Sequence, residues 1–153
     1  MDMVLTTDLG LLGPWAWKRM GSGEWFPQGK SALGEVNDDG NVRWAAIYDN
    51  YEPDGSIHIH IAIDNPKYVT RRAISSVFEY PFCQLGVKKV LVTVNSDNAK
   101  SMSFVARLGF RVEAVIEDAY DMGDMYILSM TLDECPWLRG REYGQECNAT
   151  EAA

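Results

Sequence analysis

The sequence predicts one mixed α/β domain, a central sheet flanked by helices. Three observations carry that expectation. Ile57, Ile59, Ile61 and Ile63 alternate with His58, His60, Ala62 and Asp64, which is the period of a strand with one wholly aliphatic face. A helical pattern follows and leads into a second β-branched run at 89–94, so strand, helix and strand succeed one another as a parallel pair with a right-handed crossover. The ordered part of the chain then closes on two β-patterned arms joined by Asp121-Met122-Gly123, the chemistry of a hairpin turn.

Taken in order, residues 14–20 fit a short helix with Pro14 in its first turn, where a missing N–H costs little. Residues 21–30 read as loop. A first strand at 32–36 runs into Asn37-Asp38-Asp39-Gly40, a hairpin turn, and a second strand covers 42–51. Glu52-Pro53-Asp54-Gly55 turns the chain into the isoleucine strand, which Asn65-Pro66 ends. Thr70 suits the N-cap of a helix that buries Ala73, Ile74, Val77, Phe78, Phe82 and Leu85, with Pro81 kinking it and Gly86 stopping it. A further helix covers 98–108 and stops at Gly109. The closing arms are 110–120 and 125–132, and beyond Leu138 the chain turns polar and Gly-rich. The expected domain is 1–138, with 139–153 a flexible tail.

The bulk properties exclude several function classes. The chain has 153 residues, enough to bury a real core in one domain. No apolar run is long enough to span a bilayer, and the first residues lack a signal-peptide pattern, so the expectation is a cytoplasmic protein without a membrane partner. Fourteen basic against 22 acidic residues leave a formal net charge of −8, which argues against a large nucleic-acid surface. A local basic patch remains at Lys67, Arg71 and Arg72. Cys83, Cys135 and Cys147 are odd in number and lack metal-ligand spacing, which suits reduced thiols better than a disulfide framework.

Specific residues then point to a family. Asn98-Ala99-Lys100-Ser101 followed by Arg107-Leu108-Gly109-Phe110, and Tyr80-Pro81-Phe82 with Leu85-Gly86-Val87, sit at matching offsets across the strand–helix–strand–helix pattern. These resemble the GNAT N-acetyltransferases over 32–132, in the variant of the ribosomal-protein-alanine acetyltransferase branch, which Glu113 also fits. The whole-chain texture is similar to small GNAT-like proteins of bacteriophages. The resemblance implies a GNAT fold, whose strand at 56–63 splays from its parallel neighbour at 89–94. It also implies acetyl-coenzyme A as acyl donor and an amine acceptor, on a small molecule or a protein. A homodimer is compatible with it.

The resemblance also implies roles. The backbone of Ile61, Ala62 and Ile63 would pair with the pantetheine amides. The family's Gly-rich pyrophosphate loop has Pro66 and Tyr68 at its two glycine positions here, so Lys67, Arg71 and Arg72 are the expected phosphate ligands. Asn98 would cap its helix and touch the pantetheine. Seven residues after Asn98 the family's usual acid, a tyrosine, is replaced by Val105, which leaves Ser101 as the expected acid and Tyr126 as a further candidate.

His60 is the candidate general base, because it lies on the strand that carries the base in many family members and a histidine titrates near neutral pH. Against that stands the plainer reading, in which His60 and His58 cap a half-buried face. Ser101 likewise fits either a catalytic hydroxyl or a helix-start hydroxyl bonded to its own backbone. Glu24, Trp25 and Phe26 fit a substrate-covering loop or simple packing. Glu117, Asp118, Asp121 and Asp124 read as a solvated face that would favour a cationic acceptor if it borders the acceptor mouth. The leading function is direct acyl transfer from acetyl-coenzyme A to an amine. The alternatives are a catalytically inactive GNAT-shaped phage accessory or virion protein, and a nucleobase-modifying relative, which the net charge opposes.

Overall fold

A computed structural model describes residues 3–138. The expected tail at 139–153 lies outside the described residues. These carry a mixed α/β fold with seven strands, the class expected, in two compact units. Among the described residues, the first unit takes those up to Tyr51 and His58–Val77, and the second takes Glu52–Ile57 and those from Phe78 to Leu138.

The first unit is an antiparallel sheet in the order β1 (Val4–Thr6), β2 (Ser31–Val36), β3 (Val42–Asp49), β4 (Ser56–Ile63). Helix α1 (Leu9–Met20) covers it. Leu12 and Ala16 are fully buried against Ala32, Val42, Ala45, Ile47 and Ala62. The approach is close: a Cβ on Gly34 would stand 2.6 Å from the Trp44 carbonyl oxygen and 2.7 Å from Leu12 Cδ2. α1 begins five residues before Pro14, because Asp8 caps it and accepts the Leu11 N–H at 3.3 Å. Pro14 therefore lies inside the helix and not in its first turn. Gly21, in the left-handed region, ends it.

After β4 comes a single 3₁₀ turn, Pro66–Tyr68, and then α2 (Arg71–Glu79), capped by the Thr70 hydroxyl, which accepts the Ala73 N–H at 3.1 Å. Where the sequence predicts a kink at Pro81, the helix changes its winding. The helix continues as a π-helical segment, Tyr80–Gln84, in which the Leu85 N–H reaches the Tyr80 carbonyl. Pro81 has no N–H for the Val77 carbonyl four residues back. The buried Tyr48 hydroxyl donates to that carbonyl at 2.5 Å.

In the second unit β5 (Lys89–Asn95), β7 (Gly123–Thr131) and β6 (Arg111–Tyr120) are antiparallel in that order, with α3 (Ala99–Leu108) between β5 and β6 in sequence. Phe78 rings lie 6.5 Å from Phe82 and 5.9 Å from Phe110, at the centre of its core. The Gly55 carbonyl accepts from the N–H groups of Lys88 and Lys89. One expectation fails here. Cys83 is disulfide-bonded, and Cys135 is buried. An odd count leaves a pair available, and nothing in the spacing of the cysteines marks which two meet.

Candidate active site

The register of β3 and β4 assembles the first part of the site. Asp49 stands opposite His58, and Ile47 opposite His60. The pleat turns His58 and His60 to one side, and Asp49, at the end of β3, reaches back to His60. His60 Nε2 lies 3.1 Å from both carboxylate oxygens of Asp49. Burial pushes the Asp49 carboxyl up, but the hydrogen bond and charge of His60, with His58 and Lys30 nearby, hold it below its ordinary 3.8. Burial pushes His58 below its ordinary 6.5, and the Asp49 charge offsets only part of that. A neutral imidazole that donates Nε2–H to Asp49 has its lone pair on Nδ1, the tautomer of a base held by a carboxylate.

Aromatic rings wall this pair. Trp17, from α1, meets the His60 ring edge-on at 5.1 Å between centroids. Trp25, from the loop after α1, meets Trp17 at 5.0 Å and 70°. Gly13 makes room for Trp25, since a Cβ there would be 2.0 Å from Trp25 Cζ2. Lys30 Nζ sits 5.6 Å from the Trp17 ring centre and 5.7 Å from that of Trp25. Trp25 is thus packed in place, whereas its neighbours Glu24 and Phe26 are exposed.

The segment after β4 shows where an anion could and could not be held. The Asn65 side chain takes the Lys67 N–H at 3.1 Å, the Asn65 carbonyl takes the Tyr68 N–H, and the Pro66 carbonyl takes the Val69 N–H, both at 3.0 Å. Three backbone donors are therefore spent within the turn. Lys67, Arg71 and Arg72 are exposed, with Arg71 and Arg72 in the first turn of α2, where the helix dipole favours anions. Lys67 Nζ lies 5.1 Å over the Tyr68 ring, and the Arg43 guanidinium lies 4.7 Å over it. Ile61, Ala62 and Ile63 pair through β4 with Ala46, Ala45 and Trp44 of β3. In an antiparallel ladder alternate residues turn their N–H and C=O groups to the other edge.

In the second unit Asn98 caps α3, its Oδ1 accepting the Ser101 N–H at 3.1 Å. That commits the oxygen of the side chain and leaves its NH₂ for another acceptor. Ser101 is half-buried, and Val105 belongs to the core. Gly109, at φ 111°, ends the helix, and the Phe110 N–H closes onto the Val105 carbonyl at 3.2 Å. The Gly-Phe pair thus serves as helix stop and core anchor. Tyr126 is half-buried on β7 opposite Val94. Glu117, Asp118 and Asp121 are exposed. Among the described residues no three His, Cys, Asp or Glu side chains gather as a metal site, and no helix is long and apolar enough to cross a membrane.

No protein-family model and no curated protein sequence matches the chain. Solved structures do. Mutant forms of the spermidine/spermine N-acetyltransferase SpeG from Vibrio cholerae align with a TM-score of 0.69 at 14% identity, over 86% of this chain and 96% of that one. A chimera of the Vibrio cholerae spermidine N-acetyltransferase SpeG and hSSAT gives 0.68 at 13%, over 92% and 100%. A dodecameric structure of the Vibrio cholerae enzyme gives 0.65 at 14%, over 84% and 93%. This is the GNAT fold.

Sequence reasoning named the GNAT strand β4 and its histidines but missed Asp49, Trp17 and Lys30. The signal for Asp49 was present. A hairpin turn at Glu52-Pro53-Asp54-Gly55 pairs residues outward from it and brings position 49 opposite position 58. Trp17 and Lys30 could not be found that way, because their meeting depends on how α1 and the following loop fold over the sheet. Among the sequence-predicted residues, His60, Ile61, Ala62, Ile63, Lys67, Arg71 and Arg72 share the first unit, while Asn98 and Ser101 share one helix start in the second.

Proposed function

We propose that this chain is an acyl-coenzyme A-dependent N-acyltransferase, moving an acetyl group directly from acetyl-coenzyme A to an amine. The observation that carries this reading is the pairing of His60 on β4 with Asp49 at the end of β3, in a GNAT fold. Asp49 holds the imidazole so that Nδ1 takes a proton from the attacking ammonium, directly or through one water. The freed amine attacks the thioester carbonyl, the new C–N bond forms as the C–S bond breaks, and the nitrogen's second proton passes to the departing thiolate. Ser101 relays that proton in this scheme, giving its own to the sulfur and regaining one from the nitrogen, with Tyr126 as the alternative relay. The backbone edge of Ile61, Ala62 and Ile63 and the Asn98 NH₂ bind the pantetheine amides. Lys67, Arg71 and Arg72 neutralise the phosphates, taking over from the backbone donors spent at Lys67, Tyr68 and Val69.

Those spent donors also favour a second reading, a GNAT-shaped accessory protein of the phage kind that no longer binds the donor. The test is amine-dependent release of free thiol from acetyl-coenzyme A. His60→Gln is expected to lower turnover by about 10²–10⁴-fold and to remove the acid limb of the rate profile while donor affinity holds. Full activity in His60→Gln would show that the base is another group.

A further inference from the structure

We infer that Trp17 and Trp25, beside the His60–Asp49 pair, form a recognition site for a primary alkylammonium group, and that Lys30 occupies it as an internal ligand. The inference rests on the transferase reading for its purpose, since it names the acceptor class, but its geometry stands apart from it. Two indoles at 70° to each other make a corner, and Lys30 Nζ lies within 5.7 Å of both ring centres. That is cation–π range for a charge shared between two faces. Among the described residues no carboxylate is in ion-pair contact with Lys30, so its charge faces the indoles at close range and the Asp49 carboxylate from further off. Asp49 gives the corner a negative side: it carries its charge 3.1 Å from His60, whose ring touches Trp17.

Three features make the corner a built one. Gly13 removes the Cβ that would collide with Trp25, so the loop ring can lie on α1. Trp17 is anchored in the helix whose Leu12 and Ala16 are fully buried. Lys30 reaches the site from the residue before β2, at the end of a loop with Gly21, Gly23 and Gly29 in the left-handed region, so the ammonium stands on a side-chain stem and not on the sheet itself. The ligand chemistry is therefore that of Lys30 itself, a four-carbon stem ending in an ammonium. An external ammonium entering the same corner would sit beside the imidazole that is to take its proton.

The experiment uses the wild-type chain and Lys30→Ala without any acetyl-coenzyme A. Butylammonium is titrated against neutral 1-butanol, read by the indole N–H signals of Trp17 and Trp25 in ¹⁵N NMR spectra. Lys30→Ala should bind butylammonium roughly tenfold more tightly than the wild type does, with shifts at both indoles and no such gain for butanol. Trp25→Leu in the Lys30→Ala background should lose the gain, and a far-ultraviolet spectrum confirms that the variant folds. Titrating 1,4-diaminobutane and an Nα-blocked lysine amide tells a small amine from a protein lysine as the natural source. Equal, weak responses to ammonium and alcohol in both proteins overturn the proposal. Ammonium binding by a chain that ignores acetyl-coenzyme A would sustain this site and defeat the transferase reading; donor binding with an indifferent corner would do the reverse.

Discussion

His60 Nε2 lies equidistant, at 3.1 Å, from the two carboxylate oxygens of Asp49. A carboxylate so placed fixes the tautomer of the ring, and an amide cannot do so with both of its atoms. Asp49→Asn is expected to lower turnover by about 10²-fold or more, because the ring can then turn or protonate on the wrong nitrogen. Steady-state kinetics with a saturating donor would check this, and donor affinity should be unchanged. Since the Asp49 carboxyl is held below 3.8, its contribution to stability is present above that value and is lost as pH falls through the lower folded value. The substitution should therefore flatten acid unfolding below pH 3.8.

His58 titrates in the opposite sense to a histidine that gains a partner. Burial lowers its folded value below 6.5, so between the folded value and 6.5 the unfolded chain binds the extra proton. Stability supplied by a neutral His58 is full above pH 6.5 and declines as pH falls below it. His58→Gln should reduce the slope of melting temperature against pH in that window. An unchanged slope would assign the acid sensitivity elsewhere.

Tyr48 and Val77 join β3 to α2 through a donor that the helix itself lacks. Tyr48→Phe leaves a buried carbonyl short of its side-chain donor and should cost about 1–3 kcal/mol in urea unfolding. Pro81→Ala restores an N–H four residues after Val77, so the double variant should lose less than the sum of the two single changes. Strict additivity would mean that the hydroxyl and the proline act independently.

The regular parts of this fold were legible because their side chains repeat. The Ile57–Ile63 alternation, the Asn98 cap and the Gly109 stop all follow from local chemistry, and each stands where the sequence puts it. What escaped was short or non-local. β1 has three residues, too few for a period to show, and it owes its existence to pairing with Gly34, Glu35 and Val36. The start of α1 was hidden because Pro14 drew the helix start to itself, while Asp8 made the stronger cap. Within the site, His60 was visible as a residue type on a strand. Its partner Asp49 needed the hairpin register, and its neighbour Trp17 needed the packing of α1.

Arg71 and Arg72 stand at the start of α2, past a turn whose own N–H groups are spent. If side-chain cations hold the donor's phosphates, Arg71→Ala with Arg72→Ala should weaken donor binding by roughly tenfold or more, each charged hydrogen bond being worth about 1.5–3 kcal/mol before solvent screening. The loss should shrink as salt rises. Unchanged affinity in the double variant would move the phosphates to another surface.

Calorimetry of the wild-type chain with acetyl-coenzyme A tests the central claim most directly, because it asks for the donor before any acceptor is known. The account predicts saturable one-to-one binding that is retained in His60→Gln and weakened in the Arg71→Ala, Arg72→Ala variant. No heat of binding across millimolar donor, from a chain that melts cooperatively, would contradict it and leave a GNAT fold used for something other than acyl transfer.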